Sequence, residues 1–217
     1  MDFIRGSLHL IWFSFLENSV KPGYEMRSMA TRLPREFYAR DSIDVARDLL
    51  GTILVHRLAD GSELRGRIVE TEAYLGVEDP AAHSFNGRRT ARTEPMFGEP
   101  GLSYIYFIYG MYFCFNVVTG AKDVPEAVLV RALDAPGANG PGKLCRALHL
   151  NRTHNALDLV HSEVLWIEDD GASKNVEIVD GARVGIGDKH DAVHWPLRYG
   201  IKNHPALSKP KFSTYVE

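Results

Sequence analysis

The sequence has few cysteines, no long apolar run and almost no excess of charge. Two of its 217 residues are cysteine, Cys114 and Cys145. Two are too few for a disulfide framework or a four-cysteine zinc site, and so low a count is typical of a reducing intracellular compartment. Lys and Arg number 25 against 28 Asp and Glu, which gives a net charge of −3. Attraction of a polyanion by overall charge is therefore excluded, and we expect a cytoplasmic protein whose polyanion contacts, if any, come from local basic patches.

The N-terminal region contains an apolar stretch, Leu8–Leu16, that is far shorter than the ~20 residues of a membrane-spanning helix. We therefore expect no membrane anchor. Met26 and Met29 offer later start sites, just before globular patterning begins. Residues 1–28 are predicted to be an extension, either disordered or upstream of the true start, and residues 29–217 to be one folded domain.

Short apolar runs separated by turn residues predict a sheet built mainly from hairpins. The predicted strands lie at 52–58, 64–74, 103–109, 112–118 and 127–133, with a further strand pair at 164–168 and 176–179. Helices are predicted after a Ser42 cap, ending at Gly51, and at 143–150. Consecutive hairpins favour antiparallel pairing, so we expect an α+β domain. Its curved, open-barrel-like antiparallel sheet would carry short flanking helices and a protruding hairpin.

Strand alternation places Ile68, Glu70, Glu72 and Tyr74 on one face of a predicted strand. Two neighbouring carboxylates disfavour ionisation of both, which is one way to bring a carboxyl pKa into the range that a general acid or base requires. A solvated strand face is the alternative interpretation of this pattern.

Aromatic residues are concentrated in the second hairpin, where they fall on both faces. They are Tyr104, Tyr106, Phe107, Tyr109, Tyr112, Phe113 and Phe115. A core needs one aromatic face, so the other face is suited to stacking on nucleobases, and a residue at the tip could enter a duplex as a wedge. Packing in a crowded interior is the alternative.

Two basic clusters are candidates for phosphate contacts. One contains Arg88, Arg89 and Arg92 within the long irregular stretch 77–101, and the other spans residues 198–211. Such clusters can bind phosphates despite an acidic total charge, although many are ordinary solvated surface.

Two further motifs resemble ligand sites incompletely. The segment Gly137–Lys143 resembles a phosphate-binding loop, but Leu144 lacks the hydroxyl that holds magnesium. Its helix N-terminus and Lys143 could still contact a DNA phosphate. The segment His190–His194 is followed by Trp195-Pro196 and lacks the glutamate of a zinc helix. We therefore expect no metal and no cofactor.

Several ordered segments together resemble the alkyladenine (3-methyladenine) DNA glycosylase family. They are Arg67–Gly76, Ala81–Ser84, Met96–Phe97, Tyr106–Asn116, Val130–Leu133, Gly140–Cys145, Arg183–Gly187 and Pro196–Tyr199. The resemblance runs from about Leu33 to Ser208. It implies a hydrolase acting on N-glycosyl bonds, which flips a damaged purine out of duplex DNA and leaves an abasic site.

The resemblance also implies roles for individual residues. Glu72 matches the general base that activates water, and Arg131 the residue that helps to hold that water, while Glu70 is a neighbour. Tyr74, His83 and Tyr106 match residues that sandwich the flipped base. Finally, Asn116 matches the residue that excludes normal guanine, and Tyr109 matches the wedge.

No lysine occurs between Lys21 and Lys122, so we expect water rather than a lysine as nucleophile, and no strand cleavage. The expected partner is duplex DNA containing damaged purines, bound by a monomer associated with the nucleoid. Arg88, Arg89 and Lys143 are the expected phosphate contacts. A damage-binding module without turnover and a triphosphate-binding enzyme are the alternative functions.

Overall fold

The computed structural model describes residues 30–212. The predicted extension at 1–28 lies outside the described residues, and the domain boundary at residue 29 stays a prediction. No helix between residues 30 and 212 has both the length and the apolar character needed to cross a membrane.

Within the described residues the fold is a nine-stranded antiparallel sheet with three α-helices. The strands are β1 (Thr31–Arg32), β2 (Ile53–Arg57), β3 (Glu63–Tyr74), β4 (Ser103–Ile108), β5 (Tyr112–Thr119), β6 (Glu126–Asp134), β7 (Leu165–Asp169), β8 (Ile178–Gly181) and β9 (Arg198–Ile201). The helices are α1 (Arg35–Tyr38), α2 (Ser42–Asp48) and α3 (Pro141–Ala147). The sheet is curled into a half-barrel, which confirms the predicted α+β class and curved antiparallel sheet.

The sheet order is β1-β7-β2-β3-β6-β5-β4, with β9 pairing β3 and β8 pairing β9. Strand β3 is central because it has neighbours on both edges. It pairs β6 from Arg67 to Tyr74 on one edge, and on the other it pairs β2 over Glu63–Arg67 and then β9 over Glu70–Glu72. The C-terminal half of β3, which carries the glutamates, is therefore enclosed by chain on both sides.

Both predicted hairpins are confirmed. In the first, Gly61 adopts φ +83° in the loop between β2 and β3, a conformation that glycine accepts without steric cost. In the second, β4 pairs β5 from Ser103↔Val117 to Ile108↔Tyr112, and Tyr109, Gly110 and Met111 form the tip.

Other local predictions were wrong. The predicted strands at 164–168 and 176–179 do not pair, because β7 lies between β1 and β2 while β8 adds to β9. The N-cap of α2 is Asp41 rather than Ser42, since the Asp41 carboxylate accepts a hydrogen bond from the backbone N–H of Asp44 at 2.9 Å. The third helix spans Pro141–Ala147, whereas the predicted range was 143–150. It therefore begins two residues earlier and ends three residues earlier than predicted.

The main core lies on one face of the sheet. Helix α2 packs against β3 and β6, and α3 packs against β5 and β6. The core residues from the strands include Ala73, Phe115, Val117, Val128 and Val130. Because neighbouring strand positions alternate between faces, the residues between these core positions project to the opposite face.

Candidate active site

The face opposite the main core brings together most of the predicted site residues. Cα partners across antiparallel strands share a face, and Glu72 and Asn116 are both paired with Leu129 of β6. Tyr104 is paired with Asn116. Period-2 alternation adds Tyr74 on β3 to the same face.

A register irregularity sets the position of Arg131. Glu70 pairs with Ala132 and Thr71 with Val130, so Arg131 is an extra residue on β6 opposite the step between them. Bulges of this kind re-aim a side chain beside a site. A second shift between Ile68 and Glu70 corrects the predicted alternation, because Ile68 packs in the main core and not beside the glutamates.

The two glutamates are fully buried, which excludes the solvated strand face as an interpretation. Arg131 lies between them, with Nε at 2.7 Å from Oε1 of Glu70 and Nη1 at 3.0 Å from Oε1 of Glu72. The guanidinium therefore compensates both carboxylates, as burial of charge requires.

Glu70 has a complete set of partners. Arg198 Nε donates to its Oε1 at 2.8 Å, and Ser208 donates from its backbone N–H at 2.6 Å and its hydroxyl at 2.8 Å. Burial opposes ionisation of Glu70, but Arg131, Arg198 and the Ser208 N–H outweigh it and lower the pKa. Glu70 is thus an ionised carboxylate with a structural environment. The prediction for it was a position next to Glu72, the expected general base.

Glu72 has different hydrogen-bond donors, and one of them, Tyr74, lines a cavity. Its Oε1 accepts the backbone N–H of Val184 at 2.8 Å, and its Oε2 accepts the Tyr74 hydroxyl at 3.0 Å. Burial raises the pKa of Glu72 above its ordinary value, and the opposing effects of Arg131, Val184 and Tyr74 are smaller. A raised carboxyl pKa moves Glu72 towards the range in which a general base is effective.

A cavity of about 390 Å³ adjoins this carboxylate cluster. Its lining includes Tyr74, His83, Tyr106 and Asn116, the four residues predicted to contact a flipped base. Glu72 does not line the cavity and lies behind Tyr74, to which it is hydrogen bonded. The structure thus brings the residues predicted to contact the base close to the Glu72 carboxylate, through the hydroxyl group of Tyr74.

His83 is neutral in the cavity wall. Its ring meets Tyr106 edge to face, with centroids 4.6 Å apart, and its Nδ1 lies 2.8 Å from the hydroxyl of Tyr104. Burial, with the nearby charges of Arg92 and Arg88, lowers the pKa of His83 to about 4. The imidazole is therefore uncharged near neutral pH.

Asn116 is buried, and its Nδ2 donates to the backbone carbonyl of Tyr104 at 2.9 Å. This bond fixes the orientation of the amide. A fixed polar group in a cavity wall can reject a base whose edge it does not complement.

Tyr109 lies at the tip of the β4–β5 hairpin with 75% of its surface exposed. Its φ is +54°, and Met111 beside it is 62% exposed. Large exposed apolar side chains at a hairpin tip are candidates for contact with another molecule.

The basic residues separate into free and paired groups. Arg88 lines the cavity, whereas Arg89 forms ion pairs with Glu94 at 2.7 Å and Asp123 at 2.9 Å. The Lys143 ammonium is exposed and donates to Asn139 at 3.1 Å. The phosphate contacts predicted for these three residues stay predictions.

The predicted basic patch at 198–211 is wrong in part. Arg198 is buried against Glu70, and Lys202 pairs with Glu177. Lys211 donates to the backbone carbonyl of Leu207 at 2.6 Å. Arg198 is therefore not available to phosphates.

Sequence reasoning missed three residues of the segment 183–189. Arg183 pairs with the buried carboxylate of Asp79 and lies over the Tyr74 ring, 4.8 Å from its centroid. Val184 binds Glu72, and Lys189 lines the cavity. The signal for Arg183 and Val184 was the match of Arg183–Gly187 to the resembled family. Lys189 lies outside the lysine-free stretch between Lys21 and Lys122 on which the expectation of water as nucleophile was based.

The two incomplete ligand motifs form short elements. His190–His194 is a 3₁₀ helix, and between residues 30 and 212 no three His, Cys, Asp or Glu side chains are grouped as a metal site would need. The glycine-rich segment leads into α3, and Gly140 is the N-cap residue of that helix.

Comparison with known proteins agrees with this geometry. Residues 36–205 match the family described as methylpurine-DNA glycosylase (MPG). The chain is 44% identical over 205 residues to "Putative 3-methyladenine DNA glycosylase" of Bacillus cytotoxicus, which covers 82% of this chain and all of that relative. Proteins with the same description from Clostridium botulinum strain Alaska E43 and Desulfitobacterium hafniense are 43% and 42% identical over 202 residues, covering 82% of this chain and 98% of each relative. The chain therefore belongs to the methylpurine-DNA glycosylase family, a family of DNA repair enzymes.

Proposed function

We propose that this protein flips damaged purines, of the 3-methyladenine, hypoxanthine and ethenoadenine type, out of duplex DNA. It then hydrolyses the N-glycosidic bond with water activated by Glu72, and so initiates base excision repair. The observation that carries the proposal is the hydrogen bond from Tyr74, on the cavity wall, to the buried carboxylate of Glu72. A base bound in this cavity brings its sugar towards a group able to accept a proton.

The extruded base lies between Tyr74 on one side and His83 with Tyr106 on the other. Aromatic surfaces stack on any purine, and the neutral imidazole adds a flat face without charge. Asn116, fixed by its bond to Tyr104, excludes undamaged guanine. In this arrangement a damaged purine is recognised by the shape of its ring system and by the hydrogen-bonding groups on its edge.

Bond cleavage transfers the glycosidic electron pair to the departing base and leaves positive charge on the sugar. Water adds to the anomeric carbon, and its proton passes to the Glu72 carboxylate. Arg131 orients that carboxylate and helps to hold the water. Because Glu72 lies behind Tyr74, the proposal requires water and sugar to reach it along the edge of that side chain. A neutral leaving base such as hypoxanthine needs protonation or hydrogen bonding, whereas a methylated cationic base departs without it.

Tyr109 enters the space that the flipped nucleotide leaves. Unstacking costs a few kcal/mol, less for damaged or mispaired bases, and a ring inserted in the stack offsets part of that cost. Its 75% exposure at a hairpin tip supports this role. Arg88, Arg89 and Lys143 contact phosphates, with Arg89 exchanging its carboxylate partners for them.

The nucleophile requires a separate test because Lys189 lines the cavity. An amine that attacked the sugar would form an imine, which borohydride reduces to a stable protein–DNA bond. We expect no trapped adduct and no strand cleavage by the protein alone. A trapped adduct that Lys189→Gln abolishes would replace water by lysine in the proposal.

The experiment that tests the function uses duplexes with a single hypoxanthine or 1,N6-ethenoadenine and DNA alkylated with dimethyl sulfate. Abasic products are cleaved with alkali and compared with an undamaged control duplex. Excision of at least one lesion supports the proposal. Lesion binding without product under single-turnover conditions would instead support a damage-binding module. We propose that the chain acts as a monomer at the nucleoid, and sedimentation of the protein–duplex complex tests its stoichiometry.

A further inference from the structure

The charged side chains that line the cavity are all positive. Three cationic side chains line it: Arg88, Arg92 and Lys189. No aspartate or glutamate of the described chain is among the lining residues, and none forms an ion pair with any of the three. The buried network behind the cavity compensates itself, since Arg131 and Arg198 balance Glu70 and Glu72.

Arg92 is the cation most closely associated with the base-contacting wall. Its guanidinium carbon lies 5.1 Å from the centroid of the Tyr106 ring, and its Nη2 lies 3.4 Å from Nε2 of His83. Both contacts involve residues that are proposed to stack on the base. The Arg92 guanidinium already interacts with the negative face of the Tyr106 ring. A positively charged base would compete with it for the same aromatic face.

We propose that Arg92 is a specificity-determining residue that disfavours cationic methylated bases and favours neutral lesions such as 1,N6-ethenoadenine. The inference rests on the proposed function and deepens it by naming the preferred substrate class. A base stacked on His83 and Tyr106 lies beside the guanidinium, so a positive charge on that base is repelled, whereas a neutral base is not. The positive charge of Arg92 also acts on the His83 imidazole, whose pKa is lowered to about 4 by burial and then by Arg92.

The preference is distinct from phosphate binding. A phosphate contact stabilises every duplex complex alike and weakens with salt, whereas repulsion of the base changes the ratio between lesions. Arg92 is exposed and free of carboxylate partners in the described chain, while Arg89, three residues earlier, is paired with Glu94 and Asp123. Arg89 therefore provides a matched control, with the same charge removed from the same loop outside the cavity lining.

The test compares 3-methyladenine and 1,N6-ethenoadenine, which are a cationic and a neutral lesion of the same base. Single-turnover excision constants for both are measured with the wild-type protein, Arg92→Gln, Arg92→Lys and Arg89→Gln at fixed ionic strength. We expect Arg92→Gln to raise the ratio of 3-methyladenine to ethenoadenine excision by about fivefold, because one positive charge is lost beside the base. Arg92 is exposed, so solvent and salt screen its charge and keep the effect modest. Arg92→Lys keeps the charge and stays within about twofold of the wild-type ratio, as does Arg89→Gln.

The outcomes separate the inference from the function. If Arg92→Gln leaves the ratio unchanged, or slows both lesions together with weaker and less salt-dependent duplex binding, Arg92 is a phosphate contact and the inference is wrong. If Arg92→Lys shifts the ratio as much as Arg92→Gln, the guanidinium shape and not its charge decides, which also overturns it. If the wild-type protein excises hypoxanthine but neither of these two lesions, the inference is wrong while the proposed function stands. If it excises none of the three, the proposed function fails and the inference falls with it.

Discussion

Tyr74 donates its hydroxyl hydrogen to Oε2 of Glu72 over 3.0 Å. The phenol lines the cavity, whereas the carboxylate is fully buried behind it. Burial, and then the negative charge of Glu72, raises the pKa of Tyr74 well above its ordinary value, so the phenol keeps its proton and remains a donor. One hydrogen bond thus couples the surface proposed to stack on a base to the group proposed to activate water.

The Glu72→Gln variant tests the general base. We expect excision to fall by at least about 100-fold, because the amide cannot accept the proton of water. Lesion binding is retained, since the cavity wall is unchanged. Single-turnover excision and equilibrium binding of one ethenoadenine duplex give the two values.

Glu78→Gln is the matched control, because Glu78 is exposed and outside the cavity lining. Its excision constant should equal that of the wild-type protein. Comparable excision by Glu72→Gln would remove Glu72 from the mechanism.

The pH dependence of excision follows from the raised pKa of Glu72. The active form is ionised, so the rate rises with pH as Glu72 loses its proton, and the acid limb lies above the ordinary glutamate value. Tyr74→Phe removes a donor to the charged form, which raises the pKa further and moves the limb to higher pH. Single-turnover rates between pH 4 and 8, measured on the neutral ethenoadenine lesion, test the shift. A limb that stays in place in Tyr74→Phe contradicts the coupling.

Glu70→Gln tests the structural role of the second glutamate. The change leaves Arg198 without its carboxylate partner and Arg131 with Glu72 alone. Removing one member of a buried ion pair destabilises a protein by about 3–5 kcal/mol. Urea unfolding should show a lower midpoint with an unchanged slope. Glu63→Gln, which breaks more exposed pairs with Arg57 and Arg65, should cost less than about 1 kcal/mol.

The same network gives a stability effect with pH. The folded pKa of Glu70 is lowered, so its contribution is fully present above the unfolded glutamate pKa of about 4.3 and is lost as the pH falls through the lower folded value. Glu70→Gln should therefore flatten the acid side of the stability curve. An unchanged acid slope would show that other groups dominate it.

Tyr109→Ala tests the wedge. The ring is 75% exposed, so its loss should change the free energy of unfolding by no more than about 0.5 kcal/mol. Excision from a fully paired duplex should fall, because nothing replaces the extruded nucleotide in the stack. Tyr109→Phe keeps the ring and should retain most activity. Equal excision by the alanine and phenylalanine variants would exclude insertion of the ring.

Local patterns determined much of the fold. The two hairpins follow from period-2 alternation and turn residues, which act between neighbours in sequence. The pairing of β7 with β1 and β2 was not predictable in this way, because its partners lie more than a hundred residues earlier in the chain. The same holds for β9, which completes the edge of β3 beside the glutamates.

By itself the sequence determined the strand that carries Glu72 and Tyr74, the aromatic hairpin with Tyr109 at its tip, and the likeness to one enzyme family. The tertiary structure alone decided that Glu70 and Glu72 are buried, and that their charges are met by Arg198 and by a backbone N–H 112 residues away. It also decided that Lys189 lines the cavity. The physical reason is that alternation is a property of one strand, whereas burial and compensation of charge depend on which distant segments pack against it.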